Sequence, residues 1–428
     1  MSLILKGSIA ALTLSAISMG ANASPCDGGS SAPSQITAGE PLTLRAVLTE
    51  VRQVSPTVRA AGLETRALNA EADQASRWLN PSLSLELENF SGSGALSGFD
   101  QTETTFAIEQ TFRLGGKRSL TERAARARQA LASAECTLIL RETEMEAAIS
   151  FAELVAAVEL VELTEDSAAL ADQLADTVER RVEAGAAAPP ELSRAQADAA
   201  ILRASVETAK ANVEQKKYAL ALLWGSAEPV FSAPKHMAIA GPDIEAEQVR
   251  KHPALEVAEA ELRKQDAERD LARSSAMPDV TVSAGVRRFE ETGDEALVAG
   301  LSVPLPLFDR GRDQVRASTF RGEAAALGRA ATEQRLLAAQ RSAVATLNAA
   351  QNRLDILNTD ALPAAQEAYD AALRGYEVGR FDLTTTLNAR SALLDTRLAV
   401  IDAGLALRSE DLRLRALIGA APFDGDNK

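Results

Sequence analysis

Residue types that carry chemistry are scarce in this chain. Its 428 residues include only two histidines, two cysteines and five methionines. His236 and His252 both lie beside proline-containing junctions, and the cysteine and histidine spacing does not match that of a transition-metal site. The segment Gly115-Gly116-Lys117-Arg118 lacks the spacing and the hydroxyl residue of a phosphate-binding loop. We therefore expect no enzymatic activity, no cofactor and no resident metal ion.

Long apolar runs are also absent beyond Gly20. No later window approaches the ~18 apolar residues that a membrane-spanning helix needs. Before Gly20, Lys6 is followed by a short apolar run, and the run is followed by Ala21-Asn22-Ala23. This is the pattern of a secretory signal peptide with its cleavage site. We predict that residues 1–23 are a signal peptide and that the mature chain is exported without a helical membrane anchor.

The chain also lacks an excess of positive charge. It has 45 basic and 60 acidic residues, which gives a net charge of −15. Binding to nucleic acid depends on basic residues that neutralise phosphates, so we expect no nucleic-acid partner. An acidic balance fits a passage that tolerates cations, and more commonly it reflects a well-solvated helical surface.

The two cysteines allow three interpretations. Cys26 lies close to the predicted cleavage site, as in a lipoprotein, but Pro25 is a poor fit to a lipoprotein cleavage site. Cys136 lies within a helical pattern, and an exported chain could form a Cys26–Cys136 disulfide. Two cysteines do not make a disulfide framework. We favour two unpaired thiols, while lipidation or a disulfide at Cys26 stays open.

Glycine and proline are missing from one long stretch, roughly Lys117 to Glu183, which predicts a helix about 100 Å long. A second helical pattern runs from about Arg312 to Glu377 and is interrupted mainly at Pro363. Gly185 and Gly379 follow these patterns, and glycine ends helices readily in the left-handed conformation. A further helical pattern follows each glycine. We therefore predict two long helical hairpins.

The two hairpins belong to a duplicated unit. Prolines, strand patterns and tip glycines recur at an offset of roughly 195 residues, and chance similarity between alanine-rich helices would not align all three. The predicted segments are the signal peptide 1–23, a flexible N-terminal segment 24–41, a first repeat 42–225 with its tip near 185–191, a linker or equatorial segment 226–250, a second repeat 251–420 with its tip near 379–385, and a C-terminal tail 421–428.

Each repeat also contains two segments in which apolar and polar residues alternate. In the first, Leu83, Leu85 and Leu87 alternate with Ser84 and Glu86. Such alternation predicts a sheet with one apolar face. The segment lengths and the neighbouring phenylalanines fit outer-membrane barrel strands with aromatic girdles, although a small sheet packed on helices is an alternative. The predicted strands are residues 82–90, 102–112, 279–289 and 296–305.

The number of strands requires an assembly. Four strands cannot close a membrane barrel, for which about eight are the minimum, and an open edge in lipid would leave backbone groups without hydrogen bonds. Three chains would supply twelve strands. We therefore predict a mainly α fold with a small β part, in which duplicated long helical hairpins form a trimeric α-barrel. A twelve-stranded outer-membrane β-barrel, with four strands per chain, would continue it.

Four blocks of sequence carry a resemblance to a known family: Asn80-Pro81, residues 85–94, Glu103-Thr104-Thr105 and residues 109–118. The more specific parts are Glu88-Asn89-Phe90 and Gly115-Gly116-Lys117-Arg118. Over its predicted mature length the chain resembles the TolC-type outer-membrane factors, and it most resembles the CzcC-like branch that serves heavy-metal efflux. The resemblance implies a homotrimeric channel-tunnel in the outer membrane that extends into the periplasm. It also implies three kinds of partner: outer-membrane lipid, a periplasmic adaptor (membrane fusion protein) and an inner-membrane transporter of the resistance-nodulation-division (RND) type.

Carboxylates on the polar strand faces form a first candidate site. If three chains enclose a pore, Glu86, Glu88 and Glu109 become rings of carboxylates, which commonly favour cations. The alternative is that these side chains only solvate a wide, water-filled lumen.

The hairpin tips form a second candidate site. The family closes its tunnel there with an acid bonded to a tyrosine, an arginine that makes a second bond, and rings of aspartate. By position, Glu191 corresponds to the acid and Tyr376 to the tyrosine. Phe381 replaces the arginine, while Thr385 and Asn388 replace the aspartates.

These replacements predict an apolar or weakly polar gate. We expect Glu191 to bond Tyr376, and Phe381 with Leu383 to narrow the mouth. The alternative is that these residues only cap the turns. The tip turns, which we expect also to dock the adaptor, contain Gly185, Gly379 and Arg380.

The resemblance favours passive export of heavy-metal cations. The same conduit could instead carry drugs, solvents or a protein secreted by a type I system, and the strands and the duplication do not separate these uses. A third hypothesis, from another class, is a periplasmic coiled-coil spacer without a pore. The sequence names neither the metal nor the cognate pump and adaptor.

Overall fold

The computed structural model describes Cys26, Ile36, Gly39, residues 41–234, Met237 and residues 252–419. The predicted signal peptide, most of the segments 24–41 and 226–250, His236 and the tail 421–428 lie outside these residues.

The described chain folds into long helices and a single sheet. The helices are α1 Leu44–Val54, α2 Pro56–Ala75, α3 Lys117–Glu183, α4 Pro189–Leu222, α5 Pro253–Ser274, α6 Arg312–Ile356, α7 Leu362–Glu377 and α8 Leu383–Leu417. The strands are β1 Ser82–Glu88, β2 Glu103–Phe112, β3 Val280–Phe289 and β4 Glu295–Ser302. Among these helices, none combines the length and apolar character that crossing a bilayer requires.

The sheet joins the two halves of the chain. Its order is β1-β2-β3-β4 with antiparallel neighbours, so β2 from the first half pairs with β3 from the second. β1 ends two residues earlier than predicted because Asn89 has a positive φ of 53° and turns the chain. β4 ends at Ser302 because Pro304 and Pro306 have no N–H to donate to a ladder.

The two faces of the sheet differ as the alternation predicts. Register places Leu85 beside Phe106 and Phe106 beside Val286, so apolar side chains from neighbouring strands share one face. This face is exposed rather than covered by helices: Leu83 is 75% and Leu297 is 89% accessible. The interpretation as a small sheet packed on helices is therefore wrong.

The two helical hairpins differ in continuity. In the first hairpin, the helix that leads to the tip, α3, is continuous over 67 residues. In the second hairpin, a π-helical turn at Leu357–Ala361 separates α6 from α7. Pro363 lies just beyond this turn and cannot donate to the carbonyl of Thr359, so the chain widens locally. The interruption thus precedes the proline at which the sequence predicted it.

An apolar core packs α1 against both hairpins. It contains Val47 and Val51 of α1, Phe151 and Leu154 of α3, and side chains of α4 and α8. The segment before α1 pairs with the chain that follows α4, since Leu42 N donates to Ser232 O at 3.1 Å.

The two cysteines form a disulfide, with Cα atoms 5.7 Å apart. The expectation of two unpaired thiols was therefore wrong, and a sulfur in this bond cannot also carry a lipid. No short-range pattern in the sequence indicates that Cys26 lies against the first third of α3, where Cys136 is fully buried. Folding brings Cys26 to this position.

His252 acts as a helix-start residue, as predicted. Its Nδ1 accepts a hydrogen bond from Ala254 N at 3.1 Å at the beginning of α5. Burial lowers the pKa of its imidazole, which keeps the acceptor nitrogen unprotonated at neutral pH.

Candidate functional site

The two hairpin tips share one backbone arrangement. Gly185 and Gly379 have φ values of 71° and 74°, in the left-handed region that glycine adopts without strain. In each tip, the residue after the glycine donates its N–H to the carbonyl four residues before the glycine, at 2.7 Å in both. This arrangement satisfies a free carbonyl at the helix end and reverses the chain.

The return helices begin differently. At the start of α8, Asp382 Oδ1 accepts a hydrogen bond from Thr385 N at 2.9 Å, and the hydrogen bonds from Thr385 lower the pKa of the Asp382 carboxyl. At the start of α4, two prolines occupy the first turn, and Glu191 Oε1 accepts from Ala188 N at 3.5 Å. Glu191 therefore caps its own helix only weakly.

The other oxygen of Glu191 accepts from the second hairpin. Tyr376 Oη donates to Glu191 Oε2 at 3.3 Å. The Tyr376 side chain is buried, with only 2% of the residue exposed. Burial first, and then the negative charge of Glu191, raise the pKa of the Tyr376 hydroxyl. The phenol therefore stays protonated and donates to Glu191 at neutral pH.

Arg181 makes a further connection between the hairpins. Its guanidinium carbon lies 4.8 Å from the centre of the Tyr376 ring. Arg181 Nη1 donates to the carbonyl oxygens of Tyr376 at 2.6 Å and of Glu377 at 3.0 Å. These carbonyls belong to the last turn of α7, whose C-terminal end attracts positive charge. Sequence reasoning did not identify Arg181. The equivalent position in the second tip is Gly375, which has no side chain.

Tyr376 lies in a small apolar core that we call the tip core. Leu383 is part of it and is only 3% exposed. The expectation that Leu383 narrows a mouth is therefore wrong, because its side chain packs inside the chain. The tip core consists of Leu174, Ala175, Val178, Ala195, Tyr376, Leu383 and Leu387.

Phe381, Thr385 and Asn388 remain exposed on the second tip, and Arg380 is exposed beside them. Phe381 is 49% accessible. Its ring packs over Gly375, where a Cβ atom would lie only 2.0 Å from Phe381 Cδ2. Thr385 and Asn388 stand three residues apart on α8, so they neighbour each other on one helix face.

Two more arginines connect the hairpins. Arg194 Nη1 of α4 donates to Thr384 Oγ1 of α8 at 3.0 Å. Farther from the tip, Arg390 of α8 forms an ion pair with Asp198 of α4. Phe381, Thr385 and Asn388 are uncharged, but the contact between the hairpins is charged, and sequence reasoning missed this.

The predicted luminal carboxylates share the polar face of the sheet, but they are not equivalent. Arg287 Nη2 lies 2.9 Å from Glu88 Oε2, and Arg287 Nη1 lies 2.9 Å from Glu103 Oε2. In the described chain no basic side chain lies within ion-pair distance of Glu86 or Glu109. Glu86 and Glu109 are therefore the predicted carboxylates without a basic partner on this face, while Glu88 shares Arg287 with Glu103.

Among residues 41–234 and 252–419 and the four described outside them, no group of three or more His, Cys, Asp and Glu side chains is arranged to hold a metal ion.

Two long helical hairpins, continued by strands with an exposed apolar face and a polar face, define the class of outer-membrane channels with a periplasmic helical extension. The structure is similar to VceC of Vibrio cholerae, with a TM-score of 0.75 and 22% identity over 88% of this chain and 96% of that chain. It is also similar to CusC, with a TM-score of 0.76 and 17% identity over 92% of this chain and 98% of that chain.

Sequence comparisons agree with the fold. The family model described as "Outer membrane efflux protein" matches residues 47–226 and 247–420. The cobalt-zinc-cadmium resistance protein CzcC of Cupriavidus metallidurans is 28% identical over 373 residues, 84% of this chain and 86% of that protein. The nickel-cobalt-cadmium resistance protein NccC of Alcaligenes xylosoxydans xylosoxydans is 31% identical over 320 residues, 74% of this chain and 73% of that protein.

The chain belongs to the outer membrane efflux protein family. It is an outer-membrane channel component that extends into the periplasm, and the family's members are channels rather than enzymes.

Proposed function

We propose that this chain is the outer-membrane channel-tunnel of a tripartite RND-type system that exports heavy-metal cations. A periplasmic adaptor and an inner-membrane pump would deliver the cations, and the channel would conduct them passively to the exterior. The observation that carries the proposal is the similarity to a cobalt-zinc-cadmium resistance protein over 84% of this chain. The similarity to a nickel-cobalt-cadmium resistance protein supports the same substrate class.

The proposed working form is a homotrimer. β1 and β4 lie at the two edges of the sheet, and an edge exposed to lipid would leave backbone groups without hydrogen bonds. Pairing β4 of one chain with β1 of the next would satisfy both edges and close a barrel of twelve strands. The two family matches, to residues 47–226 and 247–420, support two repeats at 42–225 and 251–420 joined by the segment 226–250.

In this trimer the polar face of the sheet would line the lumen. Rings of Glu86 and Glu109 would attract cations, as carboxylate rings do in cation channels. Arg287 would offset one of the two negative charges of Glu88 and Glu103, so this pair would contribute less than two free carboxylates. Removing Arg287 would add negative charge and raise the preference for cations over anions.

At the periplasmic end, the hairpin tips would form the gate. The hydrogen bond from Tyr376 to Glu191 and the contacts of Arg181 would hold the second hairpin against the first, while Phe381, Thr385 and Asn388 would face the opening. The turns at Gly185, Gly379 and Arg380 would dock the adaptor.

The substrate class can be tested by deleting the gene and measuring growth on Zn, Cd, Co, Ni, Cu and Ag salts, with a drug and solvent panel beside them. We expect sensitivity to one or more of the metals, restored by the full-length chain. Sensitivity to drugs alone would contradict the metal assignment. Fractionation of the protein away from the outer membrane would instead favour the spacer hypothesis.

The gate can be tested by single-channel conductance of the purified protein in planar bilayers. We expect Tyr376→Phe and Phe381→Ala to raise the open fraction, because the first removes the bond to Glu191 and the second removes an aromatic side chain from the opening. Tyr218→Phe is the matched control, since Tyr218 is 53% exposed on α4. Unchanged conductance in both tip variants would contradict the gate.

A further inference from the structure

Two connections between helices and strands in the second half of the chain meet at one end of the sheet. The first connection joins the end of α5 to β3, and the second joins β4 to the start of α6. They lie against each other at Gly311, where a Cβ atom would be only 2.5 Å from Ser275 Oγ. This close approach brings the arginines on either side of the glycine, Arg310 and Arg312, beside the end of α5.

A cavity of about 470 Å³, which we call the basic cavity, lies beside this contact. Its lining consists of Arg273, Ala276, Pro306, Arg310, Arg312 and Val315. Arg273 Nη1 is 3.6 Å from Asp270 Oδ1. Within the described residues, Arg310 and Arg312 form no ion pair and no side-chain hydrogen bond. The basic cavity therefore presents three guanidinium groups, two of which are free to bind an anion.

The acidic residues next to these arginines in the sequence already have partners. Asp309 Oδ1 accepts a hydrogen bond from Gly311 N at 2.8 Å. Asp313 Oδ1 lies 3.0 Å from Arg316 Nη2. In the described chain no side chain caps the first turn of α6, and the free N–H groups of a helix N-terminus attract negative charge. Because arginine binds phosphate through two parallel hydrogen bonds, a phosphate group fits this cavity.

The connection from β4 to α6 also carries exposed apolar side chains. Leu305 is 72%, Leu307 is 65% and Phe308 is 101% accessible. They follow directly on the apolar face of β4, where Leu301 pairs with Val282 and is 71% accessible. Exposed apolar surface of this kind marks a site of interaction. Beside the basic cavity, it favours a ligand that has both a hydrocarbon part and an anionic part.

The first half of the chain indicates where this end of the sheet lies in the membrane. At the same end, Phe112 pairs with Val280 on the apolar face. The rings of Trp78 and Phe112 are 6.2 Å apart, and the guanidinium carbon of Arg118 lies 4.9 Å from the Trp78 ring. Aromatic rings collect at the level of the lipid headgroups. Because the helices extend into the periplasm, this level belongs to the periplasmic leaflet.

The arginines of the two halves differ in what they already bind. Arg113 and Arg118 of the first half each donate to a backbone carbonyl of the segment after α2, at 3.1 Å in both cases. Arg310 and Arg312 of the second half make no such bond among the described residues. The second half, rather than the first, therefore has guanidinium groups available for a lipid phosphate.

We propose that the basic cavity binds the phosphate of an anionic phospholipid in the periplasmic leaflet of the outer membrane. Arg310 and Arg312 hold the phosphate, Arg273 contacts it from α5, and the acyl chains lie along Leu305 and Phe308. The inference rests on the proposed barrel, which places the sheet in the membrane. It is independent of the exported substrate and of the gate.

The test is native mass spectrometry of the purified protein during titration with phosphatidylglycerol or with phosphatidylcholine of the same acyl chains. We expect tighter binding of phosphatidylglycerol, because the choline cation of the other lipid is repelled by the arginines. Arg310→Gln combined with Arg312→Gln should weaken phosphatidylglycerol binding about ten-fold or more, since each basic residue near an anionic lipid adds to the attraction. Phe308→Ser should weaken the binding of both lipids.

Two matched controls separate the basic cavity from general positive charge. Arg335 is exposed on the same helix, 23 residues after Arg312 and therefore roughly 35 Å farther from the sheet, so Arg335→Gln should leave binding unchanged. Arg113→Gln removes a cation at the level of the headgroups but outside the cavity, and it should also preserve the preference for phosphatidylglycerol. If the double variant does not assemble, Arg273→Gln still tests the cavity, because the Arg273 side chain is 59% exposed.

Three results would overturn the lipid site. The first is equal binding of the two lipids, or phosphatidylglycerol binding that survives loss of the cavity arginines. The second is an Arg113→Gln protein that loses as much binding as the cavity variants, since the attraction would then be general. The third is displacement of the lipid by an equal concentration of inorganic phosphate, which would indicate a site for a small anion.

The proposed barrel is checked separately by flotation with phosphatidylcholine vesicles. An unaltered protein that floats with the vesicles but shows no lipid preference would remove the lipid site and leave the channel intact. An unaltered protein that does not float with vesicles of either lipid would remove the barrel together with the lipid site.

Discussion

The two tips have the same backbone turn and opposite roles in the contact between the hairpins. Four residues before the glycine, the first tip has Arg181 and the second has Gly375. Arg181 extends from the first tip to two carbonyls of the second. Gly375 presents no side chain, and Phe381 packs over it instead. At this pair of equivalent positions, the first tip therefore supplies a donating side chain and the second tip supplies none.

This difference shows which parts of a duplicated unit are free to change. The left-handed glycine and the hydrogen bonds that reverse the chain depend on the backbone, so both tips keep them. The side chains that meet between the tips need only complement each other. Glu191 and Arg181 come from the first tip, and Tyr376 and its carbonyl come from the second. The contact between the tips therefore depends on both halves of the chain.

The largest effect on the difference between the tips is expected for a substitution at Gly375. In Gly375→Ala the new Cβ would lie 2.0 Å from Phe381 Cδ2 and 2.6 Å from Phe381 Cε2, so the ring must move. Overpacking of this kind costs about 1–3 kcal/mol. We expect a conductance like that of Phe381→Ala, and no further change when both substitutions are combined.

Gly322→Ala is the control for this substitution. Gly322 lies in α6, and a Cβ there meets no atom within 4 Å, so conductance and thermal stability should not fall. If Gly375→Ala behaves in the same way, Phe381 does not depend on the missing side chain, and the proposed contrast between the tips is wrong.

The next largest effect is expected for Arg181→Ala. The change removes hydrogen bonds to Tyr376 and Glu377 and the contact with the tyrosine ring. Hydrogen bonds to charged groups contribute about 1.5–3 kcal/mol each, and partial exposure of Arg181 reduces this. We expect faster hydrogen–deuterium exchange in residues 375–385.

Arg180→Ala should leave that exchange unchanged, because the exposed Arg180 side chain donates to Thr177 of its own helix, at 3.0 Å, and among the described residues it makes no hydrogen bond to the second tip. Equal exchange rates in the second tip of both variants would show that Arg181 does not hold it.

The smallest effect is expected at the helix starts. Asp382→Ala removes the cap of α8, so the second tip should become less stable, whereas Ala188→Asp offers α4 a cap and should stabilise the first tip. Because the folded-state pKa of Asp382 is lowered, its contribution is present above the usual carboxyl pKa of about 3.9. It is lost as the pH falls through the lower folded-state value.

The pH dependence can be checked by thermal unfolding followed by circular dichroism from about pH 2 to about pH 7, a range that spans the usual carboxyl pKa. The Asp382→Ala protein should melt earlier at neutral pH, and its difference from the unaltered protein should shrink at the acidic end. A difference that is independent of pH would mean that the Asp382 carboxylate is not the capping group.

Features that depend on local pattern could be predicted from the sequence. The alternation of Leu83, Leu85 and Leu87 with polar residues predicted a face that the structure leaves exposed. The tip glycines and the helix start at His252 also follow from short-range rules, because each depends on backbone groups only a few residues away.

Features that depend on distant parts of the chain could not be predicted. Arg287 pairs with both Glu88 and Glu103 because β2 pairs with β3 in one register, which alternation alone does not determine. The partner of Arg390 lies 192 residues away on another helix. The π-helical turn at Leu357–Ala361 reflects how a long helix adapts before a proline, and no residue type marks its position.

The disulfide between Cys26 and Cys136 closes a covalent ring that includes α1, α2, β1, β2 and the first part of α3. The loop between β1 and β2 lies at the end of the sheet farthest from the hairpins. A protease that cuts this loop once would leave two fragments still joined by the ring. On a gel without reductant the protein would keep its full mass, and only added thiol would reveal the cut. A channel severed at this loop would therefore keep β1 tethered to the rest of the chain.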